Sequence, residues 1–320
     1  MTLVKRAPVT AYFVLAFVFS WAITGMMIAR YNGSVDAPGW LHYLVAWGPA
    51  LAALVVTGTT EGLFGIRTLI GRVFRWQIGW RDWLLAAGSP LLLLAAAVLI
   101  SAVTSGVMPA LSRLGVVDYL GDIGIPTALI VWCLSFGLGE EIGWRGFAQQ
   151  QLEPKRGLLV STLWIGVIWA CWHVPFFFYK DTYMAMGLIS FPFFVVNIVP
   201  GAIVLGWLYS RTNSILAVAV WHGLFDFATA SAVDGGTVSM VMSIGVMVWS
   251  LLIVVAELRG AAKRRTQAGR YHVSLQHDTK IVSEGQSESA RALKSRRRIR
   301  VTGSAAGPDS LQAEEIEILS

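Results

Sequence analysis

Residues 124–146 read Gly-Ile-Pro-Thr-Ala-Leu-Ile-Val-Trp-Cys-Leu-Ser-Phe-Gly-Leu-Gly-Glu-Glu-Ile-Gly-Trp-Arg-Gly, and this stretch decides the fold. From 124 to 139 it carries no charge; Glu140, Glu141 and Arg145 then come within two turns. Only isolated glycines interrupt the pattern from Gly143 to Gln151, so one helix is expected to continue to about Leu152. A helix needs ~20 mainly apolar residues to cross ~30 Å of hydrocarbon. An ionisable residue at mid-bilayer costs about 2.5–3.5 kcal/mol for Asp, Lys or Arg, so acids and a base inside such a helix need a function or a partner.

Working outward, further apolar stretches bounded by Pro, Gly or charge fall at about 9–29, 39–58, 83–107, 157–179, 183–209, 214–233 and 237–256. With 124–139 they make eight candidate spans. Across the 320 residues 55% are apolar and 14% charged, against the usual quarter charged, which excludes an ordinary water-soluble globule. The expected fold is an all-α polytopic membrane protein of about eight transmembrane helices enclosing a polar cavity. The first span comes after Lys5 and Arg6 as in a signal peptide, but its apolar run is long and its cleavage signal poor, so it reads as a retained helix. Cys133 and Cys171 lie in apolar runs without CxxC spacing, which excludes a disulfide framework and a cysteine zinc site.

The chain divides into two regions: a transmembrane domain at 1–257 and a tail at 258–320. The tail is rich in Ser, Arg, Gln, Ala and Gly, runs basic from Arg291 to Arg300 and ends acidic at Glu314, Glu315 and Glu317; it is expected to be disordered. Arg259, Lys263, Arg264 and Arg265 directly succeed the last span and suit anionic lipid, at ~1 kcal/mol each, rather than nucleic acid. Lys5, Arg6, Arg67, Arg72, Arg75, Arg81, Lys155, Arg156 and Arg211 fall on one side of the membrane, Arg30, Arg113 and Lys180 on the other. The positive-inside rule then places both termini in the cytoplasm, with a bacterial plasma membrane as the expected location. Residues 61–82, with Leu63, Phe64, Leu69, Ile70, Phe74, Trp76 and Trp80 among four arginines, read as an interfacial elbow on the lipid surface.

Three segments carry the polar residues. Glu141 and Arg145 are spaced i, i+4 in acid-before-base order and can neutralise one another. Glu140 points about 100° away and is expected to find a His, a water or a metal. His173 lies in Trp169-Ala-Cys-Trp-His-Val-Pro175, where Pro175 kinks or ends the helix. His222 and Asp226 are again i, i+4, the spacing by which a carboxylate fixes an imidazole or two ligands clasp an ion. Each alone reads as a buried pair or a core histidine. Three helices each supplying such groups are harder to explain as glue, since apolar packing holds a bundle without them. A carboxylate beside an imidazole can take a proton from water while a second imidazole donates to an oxyanion, the outline of peptide-bond hydrolysis.

These residues resemble the CPBP intramembrane endopeptidases, which include the type II CaaX prenyl endopeptidases and bacteriocin-processing or immunity relatives. Glu140-Glu141-x-x-x-Arg145 is similar to the family's EExxxR, Trp169-x-x-x-His173 to its aromatic-xxx-His, and His222-x-x-x-Asp226 to its HxxxN/D. The resemblance covers roughly residues 80–232. It implies an eight-helix bundle in which Glu140 and His173 activate water, His222 and Asp226 steady the oxyanion, and Glu141, Arg145 and Trp169 support them. It also implies a peptide or membrane-protein substrate, prenylated or bacteriocin-like.

Two positions depart from the pattern. Trp169 replaces the commoner Phe and is expected to be a wall of the cavity. Asp226 stands where CaaX-cleaving members usually have Asn, and an ionised carboxylate would repel an oxyanion. Either Asp226 is protonated, or it orients His222, or it binds a metal, in which case Glu140, His173, His222 and Asp226 form an O/N set for zinc. The reading favours hydrolysis with no cofactor required. The competing classes are a proton-coupled membrane carrier and a cleavage-incompetent immunity or scaffold protein.

Overall fold

The computed structural model describes residues 3–231, 233, 236–268, 272–283, 286–288, 298–307 and 310–319, with side chains described as far as residue 261. The chain divides into two compact units, Met1–Val254 and Val255–Ser320. The apolar runs form eight helices: α1 (Pro8–Tyr31), α2 (Trp47–Val73), α3 (Trp80–Ser105), α4 (Ile125–Arg156), α5 (Leu158–Trp172), α6 (Phe191–Thr212), α7 (Ile215–Thr229) and α8 (Thr237–Ala268), the first seven within the first unit and the last beginning there. Among the described residues seven stretches are long and apolar enough to cross a membrane, α5 counting together with the turn that carries it to Phe178; α7, at 15 residues, is shorter. The protein is an integral membrane protein. Valines, leucines and tryptophans left exposed along α1, α3 and α8 are what a lipid-facing surface requires, because lipid takes the place of core on that side.

Boundaries obey local chemistry. Proline stands at the first or second position of α1 and α6, where its missing N–H forfeits no helical bond. The second span starts later than the apolar run suggests: Gly39–Leu44 forms a separate 3-10 turn before α2. The sixth starts later too, because Gly187 at φ +70° separates a short helix, Asp181–Met186, from the Leu188–Ser190 turn that leads into α6. Helix α2 breaks at Gly62 (φ 67°, ψ −157°) and resumes as far as Val73, so a bend falls at the start of the 61–82 segment. Leu63, Phe64, Phe74, Trp76 and Trp80 are exposed there, while Leu69 turns inward and is buried.

Helices α4 and α7 touch through glycine. A Cβ on Gly137 would lie 2.5 Å from the Ala219 carbonyl oxygen, and one on Gly223 would lie 2.5 Å from Cys133 Cα. Small residues let membrane helices approach until their backbones meet, and here the contact brings the acids of α4 level with His222. Within α4 the residues Cys133–Glu140 and Trp144–Gln149 wind as π-helix, with i→i+5 bonding on either side of Glu141–Gly143.

In the second unit, where composition suggests disorder, the described backbone pairs as strands in the order β4-β3-β6-β5. These are β3 (His272–Ser283), β4 (Gln286–Glu288), β5 (Arg298–Gly307) and β6 (Ser310–Leu319); β1 and β2 are the two-residue strands Val116–Val117 and Gly121–Asp122 of the first unit. Strands β3 and β6 are parallel, whereas the other two pairings are antiparallel. His272-Val-Ser-Leu-Gln and Glu315-Ile-Glu-Ile alternate polar and apolar residues, the period of a strand. Of the basic run, residues 291–297 lie outside the described residues, as do the side chains of Lys263, Arg264 and Arg265.

Candidate active site

The seven residues singled out by the motifs converge. Glu140, Glu141, Arg145 and His222 are buried, His173 is 6% exposed, and Asp226 retains 23% of its side-chain surface. Trp169 stands at the centre. Its ring lies 5.7 Å from that of His173 and 5.3 Å from that of His222, edge-on to the latter, with the Arg145 guanidinium 5.3 Å from its centroid.

Glu140 finds its partners in tryptophan. Its Oε2 accepts the indole N–H of Trp169 at 2.5 Å and that of Trp144 at 3.2 Å, whereas Oε1 is buried with no partner. Two tryptophans, Trp144 at i, i+4 on the same helix and Trp169 from α5, thus meet one oxygen of Glu140, while among the described residues no histidine bonds to the other. Trp169 is accordingly a hydrogen-bond donor to the acid as well as a wall.

Glu141 is the hub of a second set. Its Oε1 accepts from Arg145 Nη1 at 2.8 Å and from His222 Nδ1 at 2.8 Å. Arg145 Nη2 also reaches the Ala202 carbonyl of α6 at 3.4 Å. His222 Nε2 faces Asp226 Oδ2 at 3.4 Å, at the long end for a hydrogen bond. His222 is therefore held at both ring nitrogens by carboxylates, one across the helix contact and one along its own helix.

Pro175 acts as expected. Helix α5 ends at Trp172 and Val174–Phe178 continues as a 3-10 turn, with His173 at the junction. His173 Nδ1 lies 2.7 Å from the Trp169 carbonyl, which can only accept, so Nδ1 carries the hydrogen. That leaves Nε2 as the ring's free nitrogen. Trp172, Phe176, Tyr183 and Phe194 enclose the imidazole, with Tyr183 stacked on it at 6.2 Å and 6° between planes.

Orphaned buried atoms gather in this region: Glu140 Oε1, Glu141 Oε2, Arg145 Nε, Trp172 Nε1 and the Tyr12 hydroxyl have no partner. Leaving a buried polar group unsatisfied costs about 1–3 kcal/mol, and polar chambers that receive water or substrate are where such groups are expected. Among the described residues no three His, Cys, Asp or Glu side chains come together as an ion's donor set. Glu140, His173, His222 and Asp226 are not gathered as such a set in this arrangement. Both cysteines are free.

Fold and site together define a polytopic membrane protein with a cluster of ionisable side chains buried inside its helix bundle. Residues 122–228, which contain all three motifs, match the family model described as type II CAAX prenyl endopeptidase, Rce1-like. The match covers a third of the chain and falls on the same segment as the motif resemblance. Among curated proteins the chain is similar to CAAX prenyl protease 2 of Methanococcus maripaludis, 31% identical over 97 residues, or 27% of this chain and 34% of that protein. The chain thus spans about a third of the length of the curated relative it matches.

Proposed function

We propose that this chain is an intramembrane endopeptidase that hydrolyses a peptide bond by activating water, without a metal. One observation carries the reading: Glu140, His173 and His222, from three different helices, meet around Trp169 in a buried chamber whose acid keeps one oxygen free. In this reading the water lies between Glu140 Oε1 and His173 Nε2. Its oxygen attacks the scissile carbonyl carbon, its proton passes to Glu140, and Glu140 returns that proton to the departing amine nitrogen. The two indole N–H groups fix the carboxylate so that Oε1 is the oxygen presented. His222 is aimed by Glu141 and Asp226, and the long contact at Nε2 can give way to the oxyanion of the tetrahedral intermediate. Of the three roles open to Asp226, orienting His222 is the one its position supports.

The substrate we propose is a peptide or a membrane-associated protein, and the name of the Methanococcus relative makes a farnesylated CaaX peptide the first to try. The basic-residue asymmetry supports cytoplasmic termini in a bacterial plasma membrane. The test is cleavage of a peptide library, farnesylated members included, by the purified protein in nanodiscs, with Glu140→Gln as control. Cleavage that the variant loses supports the reading. An equally active, folded variant rejects the base assignment, and proton-driven solute uptake into liposomes without any cleavage would point to a carrier.

A further inference from the structure

Oxyanion stabilisation needs donors, and most donors around the chamber are already engaged. Trp144 and Trp169 give their indole N–H groups to Glu140. Arg145 gives its guanidinium to Glu141 and Ala202, His173 gives Nδ1–H to a carbonyl, and His222 gives Nδ1–H to Glu141. Asp226, standing where an Asn would donate, is an acceptor when ionised. The Tyr12 hydroxyl, Arg145 Nε and Trp172 Nε1 are unpartnered and buried.

Tyr183 differs from all of these. It belongs to the short helix Asp181–Met186, outside the membrane spans, and its ring is fixed by Phe176, Phe177 and Phe194 while lying parallel to His173. The residue is only partly buried, and among the described residues its hydroxyl bonds to no protein group. Its backbone is tethered through Lys180, whose carbonyl accepts the Tyr183 N–H and whose ammonium pairs with Asp118. Burial, and then the Asp226 and Glu140 carboxylates, push the phenol above its ordinary range, so it remains a protonated donor.

Resting on the endopeptidase reading, we infer that Tyr183 is a further catalytic residue, its O–H donating a hydrogen bond to the substrate's carbonyl oxygen as that oxygen becomes the oxyanion. It fills the donor place left open by Asp226. No bond to Tyr183 forms or breaks; the hydroxyl keeps its proton throughout.

Loss of one oxyanion donor lowers kcat by about 10²–10³-fold. Tyr183→Phe, which keeps the ring and its aromatic contacts, is expected to lower kcat by that amount on a library peptide the parent cuts, with KM within threefold and an unchanged melting temperature. The variant should also lose at least tenfold in affinity for a peptide phosphinate of the same sequence, a tetrahedral oxyanion mimic, while binding the uncleaved peptide as before. Unchanged kcat, or equal loss of affinity for peptide and phosphinate, overturns the assignment. If Glu140→Gln abolishes cleavage while Tyr183→Phe does not, the inference fails and the endopeptidase reading survives. A parent that neither cuts peptides nor prefers the phosphinate to the peptide overturns both.

Discussion

Two histidine-centred clusters lie on either side of Phe176. On one side His173 belongs to the chamber, where the carboxylates of Glu140 and Glu141 each keep an oxygen without a partner. On the other, His42 donates to or accepts from the Tyr179 hydroxyl at 2.8 Å inside a cage of Tyr43, Tyr119, Phe136, Phe176 and Tyr179. Tyr43 donates to the Asp118 carbonyl at 2.6 Å, Tyr119 donates to the Tyr179 carbonyl at 3.3 Å, and Lys180 pairs with Asp118. None of the orphaned buried atoms belongs to this second cluster. Similar residue types thus serve two ends: the His42 cluster closes loops by satisfying its groups, and the chamber keeps some groups unsatisfied so that they can meet something else.

The comparison can be broken from either side. The largest effect is expected at Glu140→Gln: cleavage should fall by at least about 10²–10⁴-fold with a melting temperature close to the parent's, since the amide keeps the shape. A large stability change with modest loss of activity would make Glu140 a structural acid instead. Next comes Arg145→Leu, which leaves Glu141 buried with only His222 as a partner. Breaking such a buried pair costs about 3–5 kcal/mol, visible as a marked drop in thermal stability in detergent.

Smaller effects belong to the His42 cluster. Tyr179→Phe removes the hydroxyl that His42 meets and should lower stability by about 1–3 kcal/mol while kcat stays within a few-fold. A large loss of kcat would mean that this cluster is part of the chamber after all. Burial, reinforced by the charges of Lys180 and His173, holds His42 well below its usual range. Between that low value and ~6.5 the unfolded chain binds the proton and the folded chain does not. His42 therefore contributes stability that is full above ~6.5 and is lost as pH falls. Melting temperature recorded from pH 7.5 to 5 should decline in the parent and decline less steeply in His42→Gln, and parallel curves would assign the slope to another group.

Much of the fold and part of the site are legible in the sequence. Apolar runs give the number of helices and the bounds of most, the second and sixth starting later than their runs, and i, i+4 spacing gives the pairs that lie on one helix, Glu141 with Arg145 and His222 with Asp226. The same rule yields Trp144 as a partner of Glu140 once an indole N–H is counted as a donor to an acid. Contacts between helices are not legible. Trp169 to Glu140 and His222 to Glu141 depend on how closely α4, α5 and α7 approach and how α4 is wound, and spacing within one segment carries no such information. Tyr183 escapes for a related reason: the apolar run places it in the sixth span, and the left-handed Gly187 that detaches its short helix from α6 is one glycine among 32.

The winding of α4 has a consequence of its own. Its two π-helical stretches, Cys133–Glu140 and Trp144–Gln149, hold more residues per turn than the α-helical rest of the span. Deleting one residue between 133 and 139 without a compensating change of winding would rotate the residues after it by somewhat under ~100°. Glu140 and Glu141 would then swing out of the chamber although no functional side chain had been altered. The aim of the acids is set by the count of residues ahead of them, so an insertion or deletion in this apolar run could silence the protein as thoroughly as a change to either glutamate.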